Sequence, residues 1–220
     1  MHIPDGLMAP EIWILGWLIA LPVIALAVYK VGKTVDEKTV PFMAMLGAGI
    51  FVAQMVNFPV GGGTSGHLIG AALAAALLGV YGSVVVLTVI LVIQCFVFGD
   101  GGVTALGLNL LNMAVIAPFA AAGIFRIFRG RYEKVGIPVG AWISVFLAAL
   151  ACAVQLGFSY SLSGGAYGIQ MNLALISMAG WHIVIGVGEA IITTGVVLYL
   201  YRVAPDLIRR PSKEVKEVST

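Results

Sequence analysis

The sequence predicts an all-α integral membrane protein of seven transmembrane helices, with the N-terminus outside and folded into the bundle and the C-terminus cytoplasmic. Three observations carry this. Apolar residues make up 60% of the 220 and charged residues only 10%, against roughly 45–50% and about 25% in a soluble domain. The mean hydropathy is +1.05, and the apolar runs reach the ~20 residues that a helix needs to cross a ~30 Å hydrocarbon core. All 12 lysines and arginines fall in three clusters, so the bias of basic loops toward the cytoplasm tests the helix count.

Taken in order, the first span is predicted from Ile12 to about Tyr29, with Pro22 placed to kink it. A charged connection, Lys30 to Lys38, leads to a second span from about Val40 to Val56 and then to a glycine-rich loop. The apolar run from Leu68 to Phe98 is too long for one crossing, and Gly79-Val80-Tyr81-Gly82-Ser83 divides it into two short helices. Phe98 to Gly102 is a break; further spans cover about Leu106–Phe128, Ile137–Tyr160 and Leu173–Val203. Residues 1–205 form one membrane domain, and residues 206–220 are a basic cytoplasmic tail.

The basic clusters are Lys30, Lys33 and Lys38; Arg126, Arg129, Arg131 and Lys134; and Arg202, Arg209, Arg210, Lys213 and Lys216. Seven spans put all three on one side, whereas a single crossing over 68–98 would divide them. The outer side then holds the N-terminus, the loop 57–66, the segment Gly99–Gly107 and the loop 161–172, none of which carries a Lys or Arg.

On that side the chain starts Met1-His2-Ile3-Pro4-Asp5-Gly6. A free amine followed by histidine is a chelator: the amine, the His2 amide nitrogen and His2 Nδ1 reach one ion through a five- and a six-membered ring. One in-plane position stays open for a neutral imidazole, and a plane of nitrogens suits Ni(II) and Cu(II). Against this stands the ordinary disorder of termini. No basic n-region precedes the first charge, Asp5, so the start does not read as a cleaved signal, and Met1 is expected to remain before the bulky His2. His67 lies on the same side.

The remaining motifs give less. Val31-Gly32-Lys33-Thr34 resembles the end of a phosphate-binding loop, but Ala27 stands where the first glycine belongs. Gly61 to Gly66 is not followed by Lys and reads as close backbone packing. His182 and Glu189 share a face of the last helix, and a hydrogen-bonded interior role for both is preferred to direct ligation by His182. Asn57, Ser65, Asp100 and Asn109 are candidates to orient ligands, with capping and loop turns as the alternative. Ala71 to Ala76 offers a small-residue surface for internal packing or for a partner subunit. Cys95 and Cys152 read as packing residues. No catalytic set or catalytic cofactor is predicted, and no nucleic-acid partner.

The motifs as a set resemble the NikM/CbiM family, the substrate-binding membrane components of energy-coupling factor transporters for nickel or cobalt. They are Met1-His2-Ile3-Pro4-Asp5-Gly6, Gly63-Thr64-Ser65-Gly66-His67-Leu68, Phe98-Gly99-Asp100-Gly101-Gly102-Val103-Thr104-Ala105-Leu106-Gly107, and the run from His182 through Gly186 and Gly188 to Glu189 and Ala190. The resemblance implies a transported Ni(II), alternatively Co(II), held by the Met1 amine, the His2 amide and imidazole nitrogens, and His67. It also implies a transmembrane coupling protein, two cytoplasmic ABC ATPases, a small auxiliary membrane protein, and a multi-pass location in a bacterial or archaeal cell membrane. From another class, a self-sufficient metal channel or secondary permease stays open.

Overall fold

The computed structural model describes residues 1–37, 39–60, 64–130 and 132–204. The predicted tail at 206–220 lies outside the described residues. Helix α1 (Pro10–Thr34) begins with proline in its first turn, where no N–H is missed, and ends with Lys33 at its negative pole. After α2 (Thr39–Met55), two short strands, β1 (Phe58–Val60) and β2 (Thr64–Gly66), pair antiparallel. This two-stranded ribbon is an addition that the all-α expectation did not include; pairing satisfies backbone groups of the two short strands.

Helix α3 (Ala71–Phe98) is followed by α4 (Leu106–Asn109), a π-helical stretch over Leu110–Ile116, and α5 (Ala117–Ile127); α6 (Glu133–Leu162) and α7 (Met171–Val203) complete the chain. Among the described residues, five helical runs have the length and apolar character to cross a membrane: α1, α3, Leu106–Ile127, α6 and α7; α2, at 17 residues, is shorter. The predicted division of 68–98 into two helices is present: the run Ala71–Phe98 breaks at Gly79, which alone leaves helical geometry, at φ +75° and ψ 172°. That run is not straight. Ser83 Oγ donates to the Ala71 carbonyl at 3.1 Å, although twelve residues of straight helix would separate them by about 18 Å. The chain folds back at Gly79, whose positive φ costs glycine nothing.

The fold-back sets Ala71 beside Ser83, and the second arm runs on past it to Phe98. Close helix contacts draw α1 and α4 together. A Cβ on Gly16 would meet the Leu108 amide nitrogen at 2.9 Å, and one on Gly107 the Trp17 nitrogen at 2.6 Å, so α1 and α4 touch through paired glycines. Ala72 and Ala75 pack with Ala121 and Ala141, which assigns the small-residue face of α3 to internal packing. Large apolar side chains such as Leu18, Phe96, Ile176 and Ile191 remain exposed around the outside, as a bilayer-facing surface requires. Cys95 and Cys152 are free and buried.

Candidate metal centre

The N-terminal segment is threaded into the bundle and pinned along its length. Ile3 N–H donates to Asn109 Oδ1 at 2.9 Å, while Asn109 Nδ2 and the Gly102 amide donate back to the Ile3 carbonyl at 3.2 and 2.8 Å. Asp5 accepts from the Val103 and Thr104 amides at 2.9 and 2.8 Å, and hydrogen bonding led by Thr104 lowers its pKa. Further along, Gly168 N–H donates to Leu7 O at 2.7 Å and Ala9 N–H to Ser159 Oγ at 2.8 Å. Of the segments predicted to share the outer side, residues 1–3 thus meet Ser65 of 57–66 and Gly102 of 99–107, while 161–172 and Ser159 join the strap farther along, at Leu7 and Ala9. Met1, His2 and His67 are 0%, 4% and 2% exposed.

At the tip, one atom gathers the chelator. Ser65 Oγ lies 3.1 Å from the Met1 amine, 3.3 Å from the His2 amide nitrogen and 3.4 Å from His2 Nδ1. The amine also donates to the Ser65 carbonyl. On the far side of the ring, His2 Nε2 lies 3.1 Å from Gln94 Oε1, so Nε2 carries the proton and Nδ1 keeps its lone pair. The serine hydroxyl can then accept from the two backbone donors and donate to Nδ1, which uses its full capacity.

His67 completes the group. Its Nδ1 donates to the Leu68 carbonyl at 2.7 Å, which leaves a lone pair on Nε2; that atom is buried and without a partner among the described residues. The His2 and His67 rings stack, with centroids 4.6 Å apart and planes 23° from parallel. Asp100 sits behind, with Oδ1 3.3 Å from His2 Nδ1 and Oδ2 accepting from Asn57 Nδ2 at 2.9 Å.

Burial sets the protonation of these groups. It lowers the Met1 amine from 8.0 to about 5, against a smaller upward pull from Cys152 and Asp100. Burial, then the adjacent amine, lowers His2 to about 3, and burial, the amine and His2 together depress His67. The contact between His2 and Asp100 is therefore no ion pair at neutral pH. Asp100 moves the other way, raised by burial against the opposing amine and Asn57. The amine and both imidazoles are neutral near pH 7 with lone pairs free to bind, whereas the His2 amide must still lose its proton.

The other predicted residues have different work. Glu189 reaches out of α7 to accept the Ile69 and Gly70 amides at 2.8 and 2.6 Å. It holds the segment between β2 and α3 that carries His67; Glu189 and His182 are each buried and hydrogen-bonded to backbone rather than to each other. His182 Nδ1 donates to Met178 O at 2.7 Å, and its buried Nε2 has no partner among the described residues. Gln94 was missed by the sequence reading: an amide inside an apolar helix is a signal, but nothing local says that it meets residue 2. Among the described residues, no three His, Cys, Asp or Glu side chains converge as a conventional metal cluster; the group depends on backbone nitrogens.

Comparison with known proteins gives one consistent answer. Residues 2–207 match the family model CbiM, described as the cobalt uptake substrate-specific transmembrane region. A Haloquadratum walsbyi protein named for metal transport is 39% identical over 94% of this chain and 93% of its own. A fused protein of Archaeoglobus fulgidus named for nickel transport is 37% identical over 96% of this chain and 68% of its own. The crystal structure of a truncated transition metal transporter superposes with a TM-score of 0.87 at 39% identity, covering 92% of this chain and 99% of that one.

Proposed function

This chain belongs to the CbiM family of nickel and cobalt transport components, and from that premise we propose that it captures Ni(II) on the outer face of a membrane for ATP-driven import. It is a multi-pass membrane protein and a transporter's substrate-specific component, not an enzyme. One observation carries the nickel site: three nitrogens of Met1 and His2 converge on a single point, beside an imidazole with a buried, unpartnered lone pair. Four nitrogens in a plane favour Ni(II). Co(II) stands as the alternative cargo because the family is described by cobalt uptake.

Loading takes four steps at named atoms. The amine and His2 Nδ1 give lone pairs, the His2 amide gives up its proton, and His67 Nε2 closes the square. An ion in the plane of the His2 ring does not lie in the plane of a ring stacked over it, so His67 must tilt onto the metal. The deprotonated amide and the Asp100 carboxylate together balance the ion's two positive charges.

The chain carries no nucleotide motif; a transmembrane coupling protein, two cytoplasmic ABC ATPases and a small auxiliary membrane protein supply the energy and complete the complex. Counting the arms on either side of Gly79 separately gives seven membrane segments, with the N-terminus outside. Supporting this, Lys30, Lys33, Arg126 and Arg202 stand at the helix ends away from residue 1. X-ray absorption at the nickel edge of purified, loaded protein is expected to give four nitrogen neighbours. Inserting an alanine between Met1 and His2, or changing His67→Ala, is expected to abolish that signature. An unaltered spectrum in either variant would sink the reading.

A further inference from the structure

Ser65 is equidistant, within 0.3 Å, from the three chelating nitrogens, at 3.1, 3.3 and 3.4 Å. Points equidistant from three atoms lie on the line through the centre of their circle, perpendicular to their plane. An ion bonded equally to the same three nitrogens lies on that line too. We propose, on the reading of Met1 and His2 given above, that Ser65 Oγ is the axial neighbour of the bound ion and sets the preference between nickel and cobalt.

With metal–nitrogen bonds of about 2.0 Å and oxygen–nitrogen distances of 3.1–3.4 Å, the hydroxyl stands about 2.6 Å above the plane. That is a long, weak contact. Planar Ni(II) gains little from an axial donor, because its empty in-plane orbital is already served by four nitrogens. Co(II) accepts a fifth ligand readily and gains from it. On loading, the His2 amide loses the proton that it now shares with Ser65 Oγ, and the hydroxyl lone pair so released turns to the ion. A neutral hydroxyl thus tolerates nickel and admits cobalt, whereas a thiol at the same point would draw softer metals.

Ser65→Ala also removes the bonds that gather the three nitrogens, a loss common to both metals, so the nickel-to-cobalt ratio is the readout; the Ser65 backbone itself is held independently of its hydroxyl. The Met1 amine donates to the Ser65 carbonyl, and β2 pairs Ser65 with Pro59. Nickel and cobalt affinities, electronic absorption and metal-edge spectra would be measured on the full chain in detergent, for the native protein and for Ser65→Ala and Ser65→Cys. In Ser65→Ala the nickel spectrum is expected to stay planar, while cobalt affinity drops about tenfold relative to nickel, equivalent to about 1.4 kcal/mol. The cobalt spectrum of the native protein is expected to show a fifth, oxygen neighbour that Ser65→Ala lacks. Ser65→Cys is expected to move the nickel spectrum off the planar form. A nickel-to-cobalt ratio unchanged by Ser65→Ala, or identical cobalt spectra, would overturn the role of Ser65 and leave the nitrogen site standing. Native protein that binds neither metal would instead remove the site itself.

Discussion

Burying a terminal amine and two imidazoles is costly if they must stay charged, so the pocket keeps them neutral. The sign of the pH dependence follows. An undocked N-terminus binds its proton below about 8, while the docked amine holds out to about 5. Docking is therefore fully favoured above pH 8, weakens as pH falls, and loses this contribution completely below about 5. The same shift fixes how many protons metal displaces. With amine, His2 and His67 already neutral, only the His2 amide proton leaves at pH 7, so about one proton per ion should appear in calorimetry run in buffers of different ionisation heat. A free terminus with ordinary pKa values would release about two or more at pH 7. Release near two would show that residues 1–3 are not docked before metal arrives. Affinity should fall about tenfold per pH unit near pH 7, and more steeply once pH passes 5.

The elements explain why a chain terminus, usually disordered, is held here. Gly102 is the keystone of the N-terminal groove: a Cβ there would lie 2.2 Å from the Asp5 nitrogen. Gly102→Ala should push residues 3–5 outward at about 1–3 kcal/mol, roughly 5- to 150-fold in metal affinity, with the helices intact by circular dichroism. Nickel titration of the purified variant checks this, and unchanged affinity would mean that the strap is not needed for the site. Much of this level was legible in the sequence. Asn57, Asp100 and Asn109 are the sequence's candidates to orient ligands; Asn109 bonds Ile3, Asp100 lies against His2, and Asn57 bonds Asp100. Their partners were not legible, because a hydrogen bond between Ile3 and Asn109 depends on where two distant segments pack. The β1–β2 pair escaped for a related reason: three-residue strands flanked by glycines have too few alternating side chains to register as a period. Glu189 was recognised as an interior group, but its acceptors of choice, the backbone amides of Ile69 and Gly70, carry no signature in residue type.

At the scale of the whole molecule, the described residues form a bundle with apolar walls and the candidate site buried at one end. Among the described residues, Lys30, Lys33, Arg126 and Arg202 stand at helix ends away from residue 1, and Tyr201 OH donates to Glu133 Oε1 at 2.6 Å. The charge pattern alone predicts that the segments free of Lys and Arg collect on the face opposite the basic clusters. The fold-back of α3 at Gly79 makes that arithmetic close, and it was foreshadowed by the length of the apolar run. On the proposed reading the chain holds an ion and separate subunits drive its release. A site buried to this degree releases its cargo only if the packing around it is disturbed. Reconstituted alone in lipid vesicles, the protein should bind nickel at its outer face and accumulate none inside; with the coupling protein, both ATPases and ATP, accumulation should begin. A membrane-impermeant thiol reagent fixes the sidedness of the same preparation: Ser163→Cys should label from outside in intact cells and Arg129→Cys only after lysis, with native Cys95 and Cys152 silent because they are buried. Steady nickel accumulation by the chain alone would make it a channel or permease, and reversed labelling would turn the site toward the cytoplasm and rule out capture from outside.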